Sequence, residues 1–98
     1  MVESINLDGY TGKPGQLVRV EATDDFRVVE VKVTVRGPAG ELIEEGVAEL
    51  SSDGGEWCYT TKSAVPAGQS VSVLAVAKDT PGNTAEGQRW QYMPAPPV

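Results

Sequence analysis

Histidine is absent from this chain of 98 residues, and cysteine occurs only once, as Cys58. The lack of histidine excludes Ser-His-Asp and Cys-His nucleophile pairs, imidazole zinc sites and a histidine pH switch. One cysteine forms neither an internal disulfide nor a thiolate metal site. A Gly-rich phosphate loop is also lacking, because residues 37–40 have the wrong spacing and no helix is predicted after them. With no cofactor motif and no catalytic constellation, the chain is predicted not to be an enzyme.

Basic residues and long apolar segments are also scarce. The chain has 8 Lys and Arg against 14 Asp and Glu, which gives a net charge of -6 at pH 7. Nucleic acids and anionic membranes bind basic surfaces, so neither is an expected partner. No apolar run approaches the roughly 20 residues of a membrane span. Residues 2–10 lack the basic start and the apolar stretch of a signal peptide.

Glycine and proline, by contrast, are frequent, and they separate short segments of alternating polarity. In the clearest segment Val29, Val31, Val33 and Val35 alternate with polar residues, which predicts a half-buried antiparallel strand. Strands are predicted in residues 4–7, 17–23, 27–36, 42–43, 47–50, 57–61, 71–77 and 85–92. Short strands at this spacing predict an all-β sandwich of about seven antiparallel strands without a disulfide.

Two of the predicted strands begin with the same pattern. Residues 15–22 and 68–75 both read Gly-Gln and then Val-x-Val-x-Ala. In an immunoglobulin-type sandwich the second and sixth strands face each other across the core, and a disulfide joins them in antibody domains. We therefore expect Val20 and Ala22 to pack near Val73 and Ala75, with apolar contact in place of that disulfide.

The chain resembles the bacterial immunoglobulin-like domains that are strung along surface and secreted proteins. The segments that carry the resemblance are Ala22-Thr23-Asp24-Asp25, Gly55-Glu56-Trp57-Cys58-Tyr59, Pro66-Ala67-Gly68-Gln69 and Ala77-Lys78-Asp79-Thr80-Pro81-Gly82-Asn83. It extends from Gly15 to about Trp90 and implies a Greek-key sandwich that serves as a spacer, stalk or adhesion module, sometimes attached to a carbohydrate-active enzyme. Fibronectin type III and cadherin-like sandwiches are alternatives, since sequence separates these folds poorly.

The domain is predicted to span residues 1–92, and residues 93–98 are predicted to form a Pro-rich linker or tail. Such a tail favours a domain excised from a longer extracellular or cell-surface protein. Its partners would then be neighbouring domains of the same polypeptide, and the isolated domain would be a monomer. If Met1 is the native start, a cytoplasmic location is expected instead.

A calcium site is one functional hypothesis. Asp24 and Asp25 end the second strand, and Asp79 follows the strand at residues 71–77, which corresponds to the sixth strand of an immunoglobulin-type sandwich. The three carboxylates are therefore expected at one pole, with Asn83 or backbone carbonyls completing the shell. The alternative is that Asp79 accepts hydrogen bonds from backbone amides of its own turn. We favour the turn, because Ca²⁺ takes six or more oxygen ligands. No metal or cofactor is therefore assigned.

An aromatic platform for sugars is the second hypothesis. Tyr10, Trp57, Tyr59, Trp90 and Tyr92 could stack on sugar rings if they stood exposed on one sheet. The chain has only one Phe, however, so the core needs large side chains, and Trp57 and Trp90 are expected there. Tyr10 and Tyr92 are expected to be partly exposed. The main functional prediction is thus a non-catalytic structural or interaction module, and the alternative is a carbohydrate-binding module, with or without calcium, on a secreted enzyme.

Two further features have plain structural interpretations. Cys58 alternates with Trp57 and Tyr59, so it is predicted to point outward as a small half-buried residue. An intermolecular disulfide or a reactive thiol is the functional alternative. The four glutamates in residues 41–49 are expected to form a solvated edge rather than a binding patch; they are Glu41, Glu44, Glu45 and Glu49.

Overall fold

The computed structural model describes residues 2–22, 28–51, 56–66 and 68–93. These residues form eight β-strands: β1 Val2–Asn6, β2 Leu17–Ala22, β3 Val28–Arg36, β4 Leu42–Val47, β5 Glu49–Leu50, β6 Trp57–Thr60, β7 Ser70–Asp79 and β8 Thr84–Tyr92. The all-β prediction is confirmed. The main local difference is β4, which runs without a break through Glu44, Glu45 and Gly46, where the sequence predicted a charged gap between two short strands.

The strands form two antiparallel sheets of four. The first sheet has the order β1-β2-β6-β5, and the second sheet has the order β4-β3-β7-β8. This is the Greek-key arrangement of an immunoglobulin-type sandwich, with β4 added at the edge of the sheet that contains β3, β7 and β8. Cys58 is the lone cysteine, so the predicted sandwich without a disulfide is confirmed.

Valines of β3 supply one wall of the core. Val31, Val33 and Val35 are fully buried, as their alternation predicts. Val29 does not share this face and is 46% exposed, which corrects the expectation for the first member of the series. The reason is a register shift between Val28 and Glu30 in the pairing of β3 with β7, which breaks the two-residue period there.

The two strands that begin alike lie in different sheets, β2 in the first and β7 in the second. Val20, Val73 and Ala75 are completely buried, and Ala22 is partly buried against the same core. Small apolar side chains of both strands therefore belong to the same core cluster.

Side chains of β8 close one open side of the sandwich. Arg89 donates from Nη1 to the Ile5 carbonyl at 2.8 Å, and Gln91 donates from Nε2 to the Leu7 carbonyl at 3.4 Å and the Tyr10 carbonyl at 3.3 Å. These bonds link β8 of the second sheet to β1 and the following turn. They give the carbonyl groups of Ile5, Leu7 and Tyr10 side-chain donors from β8.

Met93 follows β8 and is fully buried. Its N–H donates to the Gln69 carbonyl at 2.9 Å, and its carbonyl accepts from the Gly68 N–H at 2.8 Å. Met93, which the sequence analysis places in the tail, therefore packs in the core, and residues 94–98 lie outside the described residues. In the described part of the chain, no helix is long and apolar enough to cross a membrane.

Candidate functional site

The predicted calcium pole is represented in the structure by Asp79 alone, because Asp24 and Asp25 lie outside the described residues. Asp79 is 3% exposed, and its Oδ1 accepts from the Asn83 N–H at 2.8 Å. Its own N–H donates to the Asn83 carbonyl, and its carbonyl accepts from the N–H of Gly82, which has the positive φ expected of glycine in a turn. The turn interpretation of Asp79 is confirmed. Among the residues that the structure describes, no group of three or more His, Cys, Asp or Glu could hold a metal ion.

The aromatic residues divide into a buried set and an exposed pair. Trp57 is 9% exposed and Tyr59 is 2% exposed, so the expectation of a core Trp57 is confirmed. Tyr10 was expected to be partly exposed but is completely buried, because the turn after β1, closed by a hydrogen bond from Tyr10 N–H to the Leu7 carbonyl, directs it inward.

Trp90 was expected in the core, but it is 57% exposed, and Tyr92 beside it is 59% exposed. The inward positions of β8 are taken by Gly87, Arg89 and Gln91, so Trp90 has the opposite parity and points outward. The sequence contains a signal for this orientation, because Trp90 points to the same side of the strand as the polar residues Glu86 and Gln88. The expectation rested instead on the shortage of large core residues.

Trp90 and Tyr92 stand on the outer face of the second sheet. They are two residues apart on one strand, so their Cα atoms lie about 7 Å apart and their side chains leave the same face. In the register of β7 with β8, Ser72 lies opposite Trp90 and Ser70 lies opposite Tyr92. Ser72 points outward and is nevertheless only 5% exposed, so its neighbours on this face cover it.

Trp90 belongs to a row of directly opposite residues, one from each strand, that crosses the whole second sheet. Ser72 pairs with Arg36 of β3, and Arg36 pairs with Leu42 of β4. Arg36 donates from Nη1 to the Gly40 carbonyl at 3.2 Å. Leu42 is 54% exposed, and Val47 on the same strand is 57% exposed, so apolar side chains also stand at the far edge of this face.

The charges of the outer face balance. The strands of this face carry three basic residues that point outward, Lys32, Arg36 and Lys78. They carry three acidic residues that point outward as well, Glu30, Glu45 and Glu86. The Lys32 ammonium lies 3.1 Å from a Glu45 carboxylate oxygen, and the hydrogen bonds from Lys32 and Thr34 lower the pKa of Glu45. This face is therefore close to neutral, although the chain as a whole has a charge of -6.

Glu44 corrects the expectation of a solvated acidic edge. Only 8% exposed, it lies at an inward position of β4. Its Oε1 accepts from the Tyr59 hydroxyl at 2.5 Å and the Lys62 N–H at 2.9 Å, and its Oε2 accepts from the Ser63 N–H at 3.0 Å. The carboxylate thus links the second sheet to the end of β6, and both its oxygens are occupied by protein donors.

The Glu44 carboxylate contributes to raised pKa values of the two buried tyrosines, Tyr10 and Tyr59. Burial and the nearby Glu44 raise the pKa of Tyr10 to about 12. Burial, together with the hydrogen bond to Glu44, raises the pKa of Tyr59 well above its ordinary value. Tyr59 is further confined by Gly46, where an added Cβ would lie 2.7 Å from the tyrosine ring. These features describe a packed structural cluster of Glu44, Tyr59 and Gly46, with Tyr10 near the carboxylate.

Other predicted residues occupy ordinary surface positions. Cys58 is half-buried and lies opposite Arg19 and Glu49 in the first sheet, on the side away from Trp57 and Tyr59, as predicted. Glu41, Glu45 and Glu49 are exposed, in agreement with the solvated-edge interpretation for these three.

The described residues also line hollows elsewhere on the surface, and two of them can be compared with a hydrolytic site. One, of about 290 Å³, is lined by Asn6, Asp8, Gly9, Leu17 and Arg19. The other, of about 280 Å³, lies between β1 and β8 and is lined by Val2, Ser4, Ile5, Gly87, Gln88 and Arg89. Neither hollow brings together two carboxylates or a nucleophile and a base, so neither has the composition of a hydrolytic site.

Comparison with known proteins identifies a relative in fold. No protein-family model matches the sequence, and no curated protein matches it. The structure is similar to the crystal structure of CopC from Methylosinus trichosporium OB3b, with a TM-score of 0.65 and 16% sequence identity over 92% of this chain and 88% of that chain. At this identity the likeness concerns the fold alone. The chain has a CopC-like β-sandwich fold.

Proposed function

We propose that this chain is a non-catalytic interaction module of a larger extracytoplasmic protein, and that it binds its partner through the outer face of the second sheet. The observation that carries the proposal is the exposure of Trp90 and Tyr92 side by side on β8. Aromatic residues are enriched in binding surfaces, where a large rigid side chain gains much contact area at a small entropy cost. The location outside the cytoplasm rests on the resemblance to bacterial surface domains.

The distribution of exposed apolar residues supports the choice of this face. Single exposed apolar side chains are normal on a protein surface. Here, however, the described residues include seven large exposed apolar side chains, and four of them belong to one sheet face; they are Leu42, Val47, Trp90 and Tyr92. In the first sheet, the large exposed apolar side chains among the described residues are Leu17 on β2 and Leu50 on β5, and neither strand has two of them.

The path of the chain supports a role as a spacer between other domains. Arg89 contacts Ile5 and Gln91 contacts Leu7, so β1 and β8 run side by side in the same direction. Val2, at the start of β1, lies beside Gly87 of β8. Gly87 precedes Met93 by six residues, which is about 20 Å of extended strand, so the first and last described residues lie about that far apart along the strand axis. The chain thus enters near one pole and leaves at the other, which suits head-to-tail connection of modules.

Amide NMR tests the proposal. The labelled domain would be titrated with the domains that adjoin it in the full-length protein, with a glycan panel and with itself in a concentration series. We expect at least one titration to shift amides of β7 and β8, and the shifts to disappear in a W90A/Y92A double variant. Shifts confined to the first sheet, or no shifts in any titration, would overturn the proposal.

A carbohydrate-binding module on a secreted enzyme is a second candidate function. The Trp90–Tyr92 pair favours it, because exposed aromatic rings on a sheet can stack on the apolar faces of sugar rings. Calcium dependence would involve Asp24, Asp25 and Asp79; of these the structure describes Asp79, whose Oδ1 accepts from the Asn83 N–H of its own turn.

A further inference from the structure

We infer that the ligand of the outer face is a neutral polysaccharide whose pyranose rings stack on Trp90 and Tyr92. This inference rests on the proposed function and specifies the ligand class. The two side chains leave the same face of β8 about 7 Å apart and are each more than half exposed. Two rings in a line along one strand can contact two positions of an extended sugar chain.

Polar side chains stand beside the aromatic pair on the outer face. Gln88 precedes Trp90 by two residues on the same face, and Ser70 lies opposite Tyr92. Arg36 is two strands from Trp90 in the same row, and the bond from its Nη1 to Gly40 leaves other guanidinium N–H groups available. The face therefore offers both donors and acceptors, in addition to a surface for stacking.

The charge of the face selects among polysaccharides. The basic and acidic residues of the outer face are equal in number, and Lys32 and Glu45 are paired with each other. An acidic glycan would need an excess of basic residues, and it would also be repelled by the overall charge of -6. A neutral glycan does not need an excess of basic residues, and the net charge of the protein does not repel it.

The spacing of the apolar residues argues against a protein partner. Leu42 and Trp90 lie at opposite ends of one row, three strand spacings or about 14 Å apart. Arg36 and Ser72 occupy the positions between them. The core of a protein–protein interface is a continuous apolar area with few charges. On this face Leu74 of β7 is a partly buried apolar neighbour of Trp90, and polar side chains separate both from Leu42.

Affinity electrophoresis provides the test. The domain would be run through gels that contain a neutral polysaccharide (cellulose derivative, xylan, glucomannan or glycol chitin) or an acidic one (polygalacturonate or alginate). We expect retardation by at least one neutral polymer and by neither acidic one. The W90A and Y92A variants should each lose about tenfold or more in affinity, as truncation of an aromatic hot spot does. Leu17→Ala, on the first sheet, and Leu42→Ala, at the far edge of the same face, should bind as wild type does.

Circular dichroism would establish that each variant is folded, and acrylamide quenching gives an independent measurement on the wild-type protein. Trp57 is buried, so the quenchable emission comes from Trp90, and a bound glycan should protect it. The inference is overturned if no neutral polymer retards the domain, if W90A binds normally, or if Trp90 stays fully quenchable.

Some outcomes would overturn only the ligand class. If the domain binds an adjoining domain or itself, and both W90A and Leu42→Ala weaken that binding, the outer face is a protein interface and the proposed function stands. If the W90A/Y92A double variant changes no interaction of any kind, both the ligand class and the proposed function are wrong.

Discussion

Removal of the hydroxyl group from each of the two buried tyrosines is expected to change stability in opposite directions. Tyr59 is 2% exposed and donates to the Glu44 carboxylate at 2.5 Å. Tyr10 is completely buried, and its hydroxyl has no hydrogen-bond partner among the residues that the structure describes. The same substitution, tyrosine to phenylalanine, therefore removes a charge-assisted bond at one position and an unsatisfied polar atom at the other.

The magnitudes follow from these contacts. A hydrogen bond to a charged group contributes about 1.5–3 kcal/mol, and Glu44 keeps its two backbone donors, so Tyr59→Phe should cost about 2 kcal/mol. A buried hydroxyl without a partner costs about 1–3 kcal/mol in lost hydration, so Tyr10→Phe should gain about 1 kcal/mol. For a domain of this size, 1 kcal/mol corresponds to about 4–8 °C in Tm. The two variants should therefore differ by more than about 10 °C.

Urea unfolding followed by far-UV circular dichroism measures both changes. Tyr92→Phe is the matched control, because Tyr92 is 59% exposed and its hydroxyl removal should alter the free energy of unfolding by less than about 0.5 kcal/mol. If Tyr10→Phe destabilises the protein as much as Tyr59→Phe does, the Tyr10 hydroxyl has a partner and the reasoning is refuted. A neutral Tyr59→Phe would show that the bond to Glu44 makes no net contribution.

Three further predictions concern pH, packing and the β7–β8 turn. Tyr10 and Tyr59 have raised pKa values in the folded state, so the unfolded chain loses their protons at a lower pH than the folded protein does. The free energy of unfolding should therefore fall above about pH 10, by up to about 1.4 kcal/mol per pH unit for each tyrosine. Urea titrations from about pH 8 to 12 measure this slope, and the double Phe variant should lack it. Gly46→Ala would place a Cβ 2.7 Å from the Tyr59 ring and should cost about 1–3 kcal/mol by thermal unfolding, whereas an unchanged Tm would contradict that packing. Asp79→Ala should cost about 1 kcal/mol, because the Asn83 N–H loses its acceptor, and millimolar Ca²⁺ should leave the wild-type Tm unchanged.

The strands were predictable because the two-residue alternation is a local property. Val31, Val33 and Val35 are buried because they repeat every second residue in a strand that is covered on one side only. The matching starts of β2 and β7 likewise reflect similar positions in the two sheets. In both cases the information lies within a few consecutive residues, so no knowledge of distant contacts was needed.

The features that were missed depend on contacts between distant residues. The Glu44 carboxylate is buried because Lys62 and Ser63, far along the chain, supply backbone donors. Nothing near Glu44 in the sequence distinguishes it from the exposed Glu45. Val29 is exposed because of a register shift against β7, and such a shift has no local signature in a run of valines.

The exposure of Trp90 follows from the way in which the sandwich is closed. The inward positions of β8 hold Arg89 and Gln91, whose side chains donate to carbonyl groups of β1 and the turn after it. Gly87, also inward, makes room for Val2, since a Cβ there would lie 2.7 Å from that side chain. These residues hold β1 against β8 without a disulfide, and they leave no inward position on this part of the strand for a large ring. Because side chains alternate along a strand, the aromatic residues between and after them must face solvent. The same alternation that closes this side of the fold therefore creates the face proposed here as the binding surface.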